Sequence, residues 1–143
     1  MKQKNIYAKE LNIDLASGRE TEYFKWFLAC LLFGKPVQQE VAKRAYLELV
    51  KDGIDSPEAI LQAGWDKLVE VLDRGHYVRY DFSTATKLLD VAKALKEKYG
   101  TLGALLKGSE TIEELSSRLQ EFKGVGPKTV EIFLRDMGPV LEK

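Results

Sequence analysis

YFKWFLACLLFG, residues 23–34, is apolar nearly all round a helical wheel. That pattern marks a central helix buried on most of its sides, with Gly34 as its stop. Phe24, Trp26 and Phe27 are then core residues, and Cys30 is a small packed hydrophobe on the same helix. A chain of 143 residues with 45% hydrophobic content suits one compact domain around such a helix, and residues 1–143 are read as that domain. The longest apolar run, WFLACLLF at 26–33, is too short to span a bilayer. The N-terminal stretch MKQKNIYAKELNIDLASGRE carries charges where a signal peptide needs an apolar centre, so a soluble protein with no membrane partner is expected.

Helical periodicity and glycine stops continue along the chain. VQQEVAKRAYLELVKDG repeats Val41, Ala45 and Leu49 and ends at Gly53. SPEAILQAG opens with serine and proline and stops at Gly64, and WDKLVEVLDRG stops at Gly75. DFSTATKLLDVAKALKEKYG places Ala85, Leu88, Leu89, Ala92, Leu95 and Tyr99 on one stripe with lysines outside and Gly100 at its end. TLGALLKG is a short helical turn, and TIEELSSRLQEF begins with a Thr111–Glu114 capping box. No segment alternates as a strand would, so the expected fold is an all-α single bundle of about seven to nine helices.

Lysine plus arginine equal aspartate plus glutamate at 22 each, so any anion site must be local. Lone Cys30 excludes an internal disulfide and a cysteine-only metal or iron–sulfur cage. No His/Asp/Glu cluster has metal-ligand spacing, so neither metal nor cofactor is expected. An intracellular, cytoplasmic setting fits best.

The most informative stretch is EFKGVGPKTVEIFLRDM, residues 121–137. Only KGVG separates two helical segments, so the chain reverses within a few residues, and glycine permits the positive φ that such a reversal demands. Val125 plugs the gap between the helices. Pro127 sits in the first turn of the second helix, where its missing N–H costs nothing. The remaining first-turn N–H groups and those of Gly124 and Gly126 form a positive nest suited to a phosphate oxygen. GVGPKT lacks the flanking strand that a Walker or dinucleotide loop requires.

FKGVGPKTVEIFL resembles the helix-hairpin-helix of the endonuclease III-like DNA glycosylase superfamily, with the motif over 111–137 here. Upstream, YFKWFLACLLFGKPVQQEVAKRA is similar to the family's early buried helix, DNA-wedging loop and following helix, and GHYVRY resembles the segment leading to the hairpin. The resemblance implies double-stranded DNA as partner, gripped at its backbone phosphate by Lys123, Gly124, Val125, Gly126, Lys128 and Thr129, followed by nucleotide extrusion and base excision. It implies that Lys128 is a Schiff-base nucleophile acting as the neutral amine, and that Lys35 stands at the wedge position. It also implies a carboxylate beyond the second hairpin helix. In GPVLEK, residues 138–143, Glu142 is the sole acid, while Glu131 and Asp136 lie on the hairpin helix itself. The expectation is therefore a short member of the superfamily, or one with altered chemistry.

Two other functions stay open on the sequence: a non-catalytic DNA-binding module whose lysines only meet phosphate, and a helical interaction domain whose hairpin merely turns the chain. His76 is read as structural or solvated, and Tyr77 and Tyr80 as closing the core edge with their hydroxyls toward water.

Overall fold

The structure is a computed structural model that describes residues 5–141. Among these residues it holds seven α-helices and no strand. Two 3-10 turns, Ala8–Leu11 and Leu15–Ser17, precede α1 (Glu20–Phe33), α2 (Gln39–Lys51), α3 (Pro57–Arg74), α4 (Asp81–Lys98), α5 (Leu102–Lys107), α6 (Ile112–Gln120) and α7 (Pro127–Leu141). No described helix is long and apolar enough to cross a membrane.

α1 is the axis of the bundle, as its all-round apolar pattern requires. Every residue from Trp26 to Leu32 is fully buried, and α1 packs against α2, α4, α5 and α7 while α3 spans α2 and α4. One contiguous core runs from Ile6 to Met137. The Trp26 indole N–H donates to the Phe133 carbonyl on α7 at 3.2 Å, and Phe27 meets Phe133 edge-on with ring centroids 5.4 Å apart. These contacts set α7 against the central helix and so place the hairpin.

Helix starts follow the capping residues. Ser56, Thr101 and Thr111 accept from the backbone N–H groups of Ala59, Ala104 and Glu114 at 3.1, 3.0 and 3.0 Å. The Glu114 carboxylate pairs with Arg118 at 2.7 Å, one turn onward.

The stops expected at Gly64 and Gly75 hold: α3 is two helical stretches that meet at Gly64, non-helical at φ +79°, ψ 171°, and its C-cap is Gly75. One local expectation is corrected. α7 continues past Met137 to Leu141 with Pro139 within it, because Val140 and Leu141 pack against the core. At the end of α3 the left-handed residue is His76, at φ +67°, and the Tyr77 N–H reaches the Leu72 carbonyl at 2.9 Å. Gly75, the C-cap, also serves close approach: a Cβ there would stand 2.7 Å from the Ala45 backbone.

The first 19 residues carry no helical pattern in the sequence, yet residues 5–18 are tied to α7. The Asp136 carboxylate accepts from the Ala8 N–H at 2.7 Å and pairs with Arg135 at 2.8 Å. Arg135 donates to the Ile6 carbonyl at 2.7 Å and covers the Tyr7 ring at 3.9 Å. Asp136 is thereby engaged in holding the N-terminal segment.

Candidate nucleic-acid interface

The hairpin between α6 and α7 is built by two apolar anchors. Phe122 and Val125 are buried, and the Val125 N–H donates to the Phe122 carbonyl at 3.0 Å. Gly124 takes φ +90°, the left-handed turn that a short reversal needs. The Gly126 carbonyl accepts from the Val130 N–H at 3.2 Å, which makes Gly126 the N-cap of α7. Among the described residues, no backbone carbonyl or side chain accepts from the N–H of Gly124, Gly126, Lys128 or Thr129. Aligned peptide dipoles concentrate partial positive charge at the three amides that open α7.

Two residues differ from the sequence expectation. Val125 is a plug with both its side chain and its N–H committed to the turn, so it offers a ligand nothing. Thr129 is 3% exposed, and its hydroxyl abuts Gly34 so closely that a Cβ on Gly34 would overlap it. The Thr129 side chain is therefore turned into the fold, and its amide has no acceptor among the described residues. Lys123 and Lys128 are exposed, and Lys35 is half-buried.

Lys35 and Lys128 lie 93 positions apart in sequence, yet they share the wall of one cleft of about 460 Å³ with Asn5, Phe33, Gln38 and Gln39. One wall is the loop between α1 and α2; the other is the first turn of α7. Beyond that loop a second cavity, lined by Val37, His76, Val78 and Arg79, shares Pro36, Val37 and Gln38 with the first. The Lys35 ammonium and the Arg79 guanidinium each stand 5.3 Å from the Tyr80 ring centroid, a cation–π arrangement that gathers positive charge beside the loop. Lys35, Lys123 and Lys128 have no carboxylate partner among the described residues. The chain is neutral as a whole, and this corner is basic.

No carboxylate lines the cleft among the described residues. Glu131 is exposed on α7, Asp136 is held by Ala8 and Arg135, and Glu142 lies outside the described residues. His76 is exposed at the end of α3. Tyr77 is buried, and its hydroxyl donates to the Leu32 carbonyl at 2.8 Å in place of water.

Sequence reasoning missed Lys87. The stripe reading puts the lysines of α4 on its outer face, yet Lys87 is 7% exposed, with its ammonium donating to the Leu31 carbonyl at 2.8 Å. Its position, three residues from Thr84 and four from Val91, puts it on the inner stripe, and that spacing was the available signal.

Comparison with protein-family models, with curated proteins and with solved structures finds no match for this chain.

Proposed function

We propose that this protein binds duplex DNA through a sequence-independent grip on backbone phosphate at the α6–α7 hairpin. The observation that carries this reading is that, among the described residues, the amides of Gly124, Gly126, Lys128 and Thr129 have no acceptor and stand beside three lysines without carboxylate partners. Bare glycines at 124 and 126 let a sugar-phosphate backbone come close, and Lys123 and Lys128 flank its path. Binding of this kind displaces counterions, so affinity falls steeply as salt rises.

A second reading, base excision with abasic-site lyase chemistry, is favoured by one placement: Lys128 faces the cleft shared with the Lys35 loop. Its amine, when neutral, attacks the aldehyde carbon of a ring-opened abasic sugar; a C=N bond forms and water leaves. Borohydride then delivers hydride to that carbon and leaves a permanent secondary amine between protein and DNA.

Two measurements test these readings. Fluorescence anisotropy of a labelled duplex at rising salt is expected to give a linear loss of log affinity with log salt. Lys128→Ala should weaken binding to every sequence alike and reduce the slope by about 1. A salt-independent signal, or none, removes DNA as the partner and leaves a protein-interaction role. Borohydride treatment with abasic-site DNA decides the chemistry: an adduct that vanishes in Lys128→Ala establishes the lyase, and no adduct in a wild-type protein that binds leaves the grip alone.

A further inference from the structure

Lys87 on α4 touches both the end of α1 and the hairpin. Its ammonium meets the Leu31 carbonyl in the last turn of α1, one turn before the loop that carries Lys35. Its stem runs under the hairpin: a Cβ on Gly124 would stand 2.9 Å from both Lys87 Cγ and Cδ. The same side chain therefore abuts the base of both cleft walls.

A buried ammonium without a carboxylate needs a reason. The C-terminal carbonyls of a helix carry partial negative charge, and a cation there is favoured. The end of α1 is further held by the Tyr77 hydroxyl on the Leu32 carbonyl at 2.8 Å. Burial first, and the charge of Lys35 second, pull the Lys87 amine down to about 8. The charged group acting on it is Lys35, from the α1–α2 loop; α1 presents the Leu31 carbonyl and the hairpin presents Gly124, neither of which titrates.

We infer that Lys87 is a positioning residue that braces the hairpin against the end of α1 and so sets the spacing of the two cleft walls. The brace is a property of the free protein; its effect on DNA rests on the phosphate grip proposed above. Methionine at 87 fills the space of the stem but leaves the Leu31 carbonyl without its donor. Deprotonation weakens the same hydrogen bond, because a charged donor binds a carbonyl more strongly than a neutral one.

pH separates this role from plain packing. A lysine whose amine is pulled down on folding penalises the folded state at neutral pH, and that penalty fades as pH rises from the folded value toward the ordinary one. Global stability from this group therefore increases above pH 8, whereas the brace loosens over the same interval. Packing alone gives no such divergence.

The experiment compares wild type with Lys87→Met, using hydrogen–deuterium exchange over 121–128 in the DNA-free protein and anisotropy with an undamaged duplex from pH 7 to 9.5. At pH 7 the variant is expected to exchange faster at Gly124 and Gly126 and to bind about fivefold more weakly. Wild-type affinity should fall severalfold toward pH 9.5, while the variant stays flat. A folded variant that matches wild type in both exchange and affinity overturns the brace. If the variant does not fold, the wild-type series decides: a flat affinity, with hairpin exchange that follows the intrinsic rate alone, overturns it. If wild type binds no duplex, the DNA reading falls alone and the exchange comparison still judges the brace.

Discussion

Aspartate in place of Gly126 is expected to lower duplex affinity about a hundredfold, the loss of two charge-assisted hydrogen bonds, while leaving the protein slightly more stable. The opposite signs come from one geometry. Gly126 lies outside the left-handed region, and a Cβ there meets nothing within 4 Å, so the fold itself makes no demand for glycine. Its carbonyl already opens α7 by accepting from Val130. A carboxylate at this position folds back onto the free N–H groups of Lys128 and Thr129, as N-cap aspartates do, and adds about 0.5 kcal/mol of stability through the cap and the helix dipole. The same carboxylate fills the proposed anion site with the protein's own charge and would repel a phosphate there. Thermal melts and anisotropy on one preparation check both halves. Raised stability with undiminished DNA affinity would remove these amides from the interface. Gly124→Asp is a poorer probe, since φ +90° and the Lys87 stem oppose any side chain there and mix folding loss into the result.

Local features of this fold were legible because local features produce them. The all-round apolar run at 23–34 becomes the buried axis α1; Ser56, Thr101 and Thr111 cap the helices that follow them; the left-handed turn falls on Gly124. What stayed hidden depends on contacts between distant segments. Nothing near residue 8 signals that its N–H ends on Asp136, and nothing local signals that Gly75, the C-cap of α3, also lies against the backbone of Ala45. Lys128, named from the hairpin, and Lys35, named from the upstream wedge position, line one cleft. Thr129 is turned inward by its fit to Gly34, a pairing that no periodicity encodes. Lys87 was misplaced for a different reason. Lysine is so rarely buried that its position on the inner stripe was outweighed by its residue type.

Gly34→Ala carries the structural counterpart of these arguments, because two general rules disagree about it. Gly34 has ordinary helical angles, φ −71° and ψ −12°, so the backbone rule expects alanine to stabilise by about 0.5–1 kcal/mol through a less flexible unfolded chain. Packing expects the reverse. A Cβ at 34 overlaps the Thr129 hydroxyl, and it lies 3.3 Å from the Cys30 carbonyl and 3.4 Å from Thr129 Cβ. Threonine is branched at that carbon, so one of the two rotations that move the hydroxyl away swings the methyl into the same space and the choice of rotamer is restricted. Overpacking of this kind costs about 1–3 kcal/mol, and the expected net effect is a destabilisation of about 2 kcal/mol. The consequence extends to the site, since Gly34 immediately precedes Lys35 and Thr129 immediately follows Lys128. Forcing the two apart moves the cleft walls, and duplex affinity is expected to fall about tenfold, the equivalent of 1.4 kcal/mol. Thr129→Ala removes the obstructing oxygen while keeping the backbone amide. In the double variant most of the lost stability and affinity should return, giving a coupling of at least about 1 kcal/mol in denaturant titrations. Strictly additive effects would mean that the loop and the hairpin helix do not meet through Gly34 and Thr129, and that the spacing of the lysines is set elsewhere.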